Sequence, residues 1–171
     1  MKRRALWWAA LAAGAAGMGV GAWRWRTQDP VDGAEAAFWA GQWEGLDGQP
    51  LAMAQFRGQP LLLNFWATWC PPCVEELPLL NRFYAEQRSR GWQVLGLAVD
   101  QPSAVQRFLQ RMPLDFPLAL AGLGGTELSR QLGNPSGGLP FTVVFDRSGR
   151  VAQRKLGQVK PEDLATWAAQ M

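Results

Sequence analysis

Two cysteines three positions apart, in Cys70-Pro71-Pro72-Cys73, are the side chains of this sequence best suited to covalent chemistry. A thiolate attacks a disulfide sulfur, and a second thiol three residues on is near enough to attack the mixed disulfide and release the partner. The chain has 2 Cys and no His. That excludes a Cys-His pair, a Ser-His-Asp triad and an imidazole-ligated metal site, and two Cys cannot build a disulfide scaffold. Three other uses of the pair stand beside redox exchange: a permanent structural disulfide, half a zinc site, or two inert buried thiols. So short a loop constrains little of the unfolded chain. No further Cys or His completes a zinc site, and two prolines between inert thiols have no packing purpose. The spacing beside a βαβ pattern favours redox use.

The neighbouring residues give each sulfur a part. The apolar run 61–66 reads as a buried strand, and Cys70 stands just past its end, where Pro71 and Pro72 suit the opening of a helix. Unpaired N–H groups and the positive helix end lower the pKa of a thiol placed there, from ~8.5 into the ~3.5–7.5 range. Cys70 is therefore the candidate nucleophile and Cys73 the candidate resolver. Resolution requires Cys73 to lose a proton, and a shielded thiol resists becoming an anion. Glu76, three residues on, falls on the same helix face and is the candidate proton carrier. Glu75 points elsewhere. The plain alternative for Glu76 is a solvated carboxylate favoured by the first helical turn.

The elements that must position these groups follow from periodicity and turn chemistry. Asp47-Gly48 between apolar residues predicts a hairpin over 43–51. Val74, Leu77, Leu80 and Tyr84 line one face of a helix that Pro78 is expected to bend. A second buried strand is predicted at 94–99. Val105, Phe108, Leu109 and Met112 then mark a helix behind a Ser103 cap. Strand, helix, parallel strand and helix make a βαβα unit. A short strand at 116–120 and a helix over 126–132 closed by Gly133 come next. Strands 141–145 and 151–156 are joined through Asp146-Arg147-Ser148-Gly149. Pro161, with Glu162 and Asp163 in the first turn, opens a last helix.

The 171 residues have 48% apolar and 18% charged side chains, suited to one domain with a core plus an appended segment. The net charge of +3 resides in the leader: Lys2, Arg3, Arg4, Arg24 and Arg26 flank the first apolar run, and the other 12 basic residues face 14 acidic ones. No basic stripe for nucleic acid remains. The 18 uncharged residues from Ala5 to Ala22 would make a helix of ~27 Å against a ~30 Å hydrocarbon core. A signal-anchor over 1–26 is expected, with a cleaved signal peptide as the alternative. Either places the rest outside the cytoplasm: at the inner membrane with the domain in the periplasm, or soluble in the periplasm after cleavage. Residues 27–41 read as a polar linker with a short helical turn near Glu35 to Trp39, and 42–171 as the domain. Trp7, Trp8, Trp23 and Trp25 suit the two ends of the membrane segment.

The stretch from Asn64 to Pro78, Asn-Phe-Trp-Ala-Thr-Trp-Cys-Pro-Pro-Cys-Val-Glu-Glu-Leu-Pro, resembles the active-site segment of TlpA-like thiol-disulfide oxidoreductases. These are membrane-anchored relatives of thioredoxin that include cytochrome c maturation proteins. The likeness extends through Gly138-Leu139-Pro140 and Asp146-Arg147-Ser148-Gly149, over residues 42–170. It implies an α/β, thioredoxin-like fold, with a central mixed β-sheet flanked by helices and an N-terminal hairpin extension. By the resemblance, Pro140 is a cis-proline facing the CxxC, and the backbone before it, at Leu139, receives a substrate strand. Trp69 lines the substrate side of Cys70, and Trp69, Pro71, Pro72, Leu139 and Pro140 form the partner-facing set. Phe141 stands where relatives often carry Thr. Thioredoxin has a buried Asp at the position of Asn64, and an amide cannot take up a proton at neutral pH, whereas TlpA-like relatives carry an acid at the position of Glu76. The implied activity is disulfide exchange with partner proteins, as a reductase restored by an upstream membrane or periplasmic reductant, with no cofactor and no metal. A thiol oxidant and a docking module for partner proteins are the alternatives.

Overall fold

The computed structural model describes residues 30–171. The leader, with its anchor or signal, lies outside the described residues. Among those described, no helix is long and apolar enough to cross a membrane.

Seven strands form one sheet: β1 (Gln42–Gly45), β2 (Pro50–Ala52), β3 (Leu61–Trp66), β4 (Gln93–Ala98), β5 (Leu118–Leu120), β6 (Phe141–Phe145) and β7 (Val151–Leu156), in the order β2-β1-β5-β4-β3-β6-β7. β4 runs parallel to β3 and to β5, whereas β6 pairs antiparallel with β3 and β7 with β6. The β1–β2 hairpin adds to the edge of β5. This is the mixed sheet with an N-terminal hairpin extension that the sequence predicts.

Every residue of β3 is buried, because helices cover both faces of the sheet. Successive side chains point to opposite faces. Leu62 and Trp66 pack under helices α2 (Pro71–Gln87), α3 (Pro102–Leu109) and α5 (Pro161–Gln170), through Leu77, Leu80, Val105, Leu164 and Trp167. Leu61, Leu63 and Phe65 face the other layer, with Leu128 of α4 (Gly122–Gln131) and Phe38 of α1 (Pro30–Ala40). Asn64 shares its face with Leu62 and Trp66, so a polar amide is buried beneath α2.

Two expectations are corrected. The polar linker read over 27–41 contains the helix α1, whose Phe38 stacks on Phe145 with ring centroids 4.8 Å apart. Trp39 donates through Nε1 to Gly149 O at 2.6 Å, and Glu35 Oε1 accepts from Val151 N at 2.8 Å. Apolar residues buried on one face and a glutamate caught on the end of β7 make this segment part of the domain. The cap of α3 is Gln101, with Pro102 rather than Ser103 opening the helix, because proline at the first helical position has no N–H to satisfy. Pro78 lies inside α2, which continues from Pro71 to Gln87. The remaining strands and helices lie where the periodicity predicts them, with ends shifted by a few residues, and Gly133 closes α4 with φ +107°.

Candidate active site

Cys70 is the N-cap residue of α2, with Pro71 and Pro72 in the first turn. The first helical hydrogen bond runs from Val74 N to Cys70 O at 3.1 Å. The loop that delivers Cys70 from β3 is held by Asp100, just past β4. Its Oδ2 accepts from Thr68 N at 2.8 Å and from Thr68 Oγ1 at 2.6 Å. Cys70 and Cys73 are joined as a disulfide. The bonded pair is sheltered: Cys70 retains 5% exposure and Cys73 none. Sequence reasoning expects an exposed Cys70. In the disulfide form Cys70 is instead buried, like Cys73, because both residues pack into the apolar cluster beneath α2.

Around the disulfide, Trp69 is 65% exposed and Pro71 is exposed, whereas Pro72 is half-buried. The Leu139–Pro140 peptide bond is cis. Leu139 is half-buried and Pro140 buried, and Pro140 O accepts from Gly157 N at 2.9 Å. Leu139 packs against the same cluster of apolar side chains that holds both cysteines.

Glu76 is 1% exposed. One turn beyond Cys73, it points beneath α2 onto the sheet. Its Oε1 accepts from Asn64 Nδ2 at 2.7 Å and its Oε2 from Val159 N at 2.5 Å. Asn64 Nδ2 also donates to Thr142 Oγ1 at 3.0 Å. The sheet register explains this grouping: Asn64 of β3 is paired with Thr142 of β6, and Thr142 with Lys155 of β7. One polar row therefore crosses three strands under Glu76. Burial raises the Glu76 carboxyl from 4.5 to about 7, against the opposing pull of the Val159 N–H, the Asn64 amide and the charge of Lys155. Lys155 itself contacts Asp163 Oδ2 at 2.6 Å. Adjacent Glu75 is exposed. A carboxyl that titrates near neutral pH, on the helix that carries Cys73, can hold or release a proton.

Sequence reasoning names Glu76 but misses its supports. Asn64 enters it only as the site of a missing acid, and Thr142 and the Val159 N–H not at all. The signal for Asn64 is present, since it is the single polar residue in an otherwise apolar strand. Thr142 needs the register, and Val159 needs the tertiary path of the chain between β7 and α5. Among the described residues no cluster of His, Cys, Asp and Glu could hold a metal ion.

Residues 36–170 match the family described as Redoxin. The chain is 32% identical over 121 residues to the thiol-disulfide oxidoreductase ResA of Bacillus cereus, covering 70% of this chain and 67% of that protein. It is 33% identical over 122 residues to ResA of Geobacillus kaustophilus, with the same coverage. Among solved structures, a thiol:disulfide interchange protein of the thioredoxin family from Chlorobium tepidum superposes with a TM-score of 0.65. That match has 29% identity and covers 76% of this chain and 91% of the other.

Proposed function

The chain belongs to the Redoxin family and is a thiol-disulfide oxidoreductase of thioredoxin-like fold, and from that premise we propose that it reduces disulfides of partner proteins outside the cytoplasm, with Glu76 as proton carrier. The observation that carries this reading is the buried, doubly hydrogen-bonded Glu76 one helical turn from the resolving cysteine.

In the dithiol form, the Cys70 thiolate at the positive end of α2 attacks one sulfur of the partner disulfide, and the other partner sulfur leaves as a thiolate. Cys73 gives its proton to Glu76, attacks Cys70 and releases the second partner thiolate. Two electrons pass to the partner, and the Cys70–Cys73 disulfide remains. An upstream dithiol then reduces that disulfide by the same steps in reverse. The basic start and uncharged run of the leader support an anchor that places this domain in the periplasm, and cytochrome c maturation proteins are among the relatives that motivate the reductase direction. Trp69, Pro71, Pro72 and Leu139 form the surface for the partner backbone and its flanking side chains, and the buried Pro140 sets the cis bond that presents Leu139.

Turnover of a protein disulfide driven by a dithiol reductant, followed from pH 5 to 9, tests this reading. The wild-type rate follows a group titrating near 7, Glu76→Gln loses that limb, and Glu75→Gln keeps it. Superimposable curves for wild type and Glu76→Gln would return the proton to water. Direction is tested in a glutathione buffer: a reductase pair stays a disulfide when glutathione is mostly reduced. A pair that is reduced in an equimolar buffer would make the protein an oxidant.

A further inference from the structure

Trp69 and Leu123 are the two most exposed large apolar residues among those described, at 65% and 90%. Both line one cleft of ≈ 570 Å³, together with Val99, Ala104 and Thr126. Single exposed apolar residues are ordinary on a protein surface. Two of them facing a shared cleft, one directly preceding Cys70, are not explained by packing. Asp100 is the one charged residue lining the cleft, and its carboxylate is already engaged, Oδ2 by Thr68 and Oδ1 by Gln101 N at 2.7 Å. The cleft therefore offers apolar surface beside a single carboxylate whose oxygens are already hydrogen-bonded within the protein. Leu123 itself sits among Gly122, Gly124 and Gly125 at the start of α4, where no neighbouring side chain covers it.

What must lie over this surface follows from the exchange reaction. A mixed disulfide at Cys70 brings the partner's polypeptide onto the protein at that point, beside the exposed Trp69 that directly precedes Cys70. We propose that the Trp69–Leu123 cleft is the specificity subsite of the enzyme, and that it takes a bulky apolar side chain immediately adjacent to the partner's reactive cysteine. This rests on the thiol-exchange reading above and names which partner cysteines that exchange selects. Closing the cleft over a leucine or phenylalanine removes Trp69, Leu123 and the guest side chain from water together, whereas a serine or aspartate gains nothing there.

The test uses the reduced full chain and synthetic peptides bearing one cysteine as a mixed disulfide with glutathione. The peptides differ only in the residue following that cysteine: Leu, Phe or Ser. Each turnover oxidises the Cys70–Cys73 dithiol, which a dithiol reductant in the assay restores, and leaves two thiols, the peptide and glutathione; the rate without enzyme is subtracted. The Leu and Phe peptides are expected to exceed the Ser peptide at least tenfold in kcat/KM, mainly through KM. Leu123→Ser should bring that ratio below threefold, whereas Leu46→Ser, at an exposed leucine of the β1–β2 hairpin, should retain it. A ratio near one in the wild type, or one that survives Leu123→Ser, would overturn the subsite and leave the exchange reading standing. Reduction of none of the peptides would overturn both.

Discussion

Replacing Asn64 by leucine removes the amide that donates to Glu76 while keeping the volume under α2 filled. Two donors now hold the carboxylate, Asn64 Nδ2 at 2.7 Å and Val159 N at 2.5 Å. Both favour the ionised form, against a burial that has already carried the group to about 7. A hydrogen bond to a charged group contributes roughly 1.5–3 kcal/mol, and each pH unit of titration midpoint corresponds to about 1.4 kcal/mol. The carboxylate loses this bond and the neutral acid does not need it, so the midpoint must rise, by about one to two pH units. Asn64 Oδ1 has no partner in the structure, so leucine leaves no new orphan on that side. The assay is the Glu76 carboxyl carbon resonance followed by NMR through the pH range, assigned by its absence in Glu76→Gln. The pH–rate profile of disulfide turnover should move in step. A midpoint that stays near 7 or falls in Asn64→Leu would refute the claim that this amide restrains the carboxyl.

The same group makes folding stability depend on pH with a definite sign. Between 4.5 and about 7 the folded protein keeps a proton on Glu76 that the unfolded chain has lost, so stability falls as pH rises through that window, by ~3 kcal/mol in all; denaturant melts at pH 5 and 8 measure it, and Glu76→Gln should flatten the difference. Phe38→Ala, at a residue 1% exposed, should lower stability by about 3–5 kcal/mol in urea unfolding, and an unchanged midpoint would return residues 30–40 to the status of a linker. Asp100→Ala removes the acceptor for Thr68 and should cost about 1–2 kcal/mol while slowing disulfide exchange, both absent if the loop before Cys70 is held by other contacts.

What the sequence discloses and what it hides divide along the range of the interactions involved. The CxxC, the buried strands and the Asp146–Gly149 turn are read from residues close together in the chain, and the structure places them so. Gln101 in place of Ser103 as the cap of α3 is a choice between neighbouring residues, decided by the proline between them. Helix α1 was hidden because its apolar residues, Phe38 and Trp39, are few and adjacent. Their partners Phe145 and Gly149 are more than a hundred positions away. The setting of Glu76 was half legible: helical spacing from Cys73 places it on the right face, but its midpoint depends on Asn64 and Val159. These converge only when β3 and β6 are in register and the chain returns from β7 to α5. The cis bond before Pro140 is not written in local chemistry at all, and resemblance alone pointed to it.

The proposed mechanism turns on one order of events, in which Cys70 attacks and Cys73 resolves. Its most direct measurement is the mass of the adduct formed when Cys73→Ala and Cys70→Ala are each mixed, as reduced full chains, with an excess of a disulfide-bonded protein substrate. A stable mixed disulfide should accumulate on Cys73→Ala within the turnover time of the wild type and form far more slowly on Cys70→Ala. Equal accumulation on both, or faster accumulation on Cys70→Ala, would contradict it.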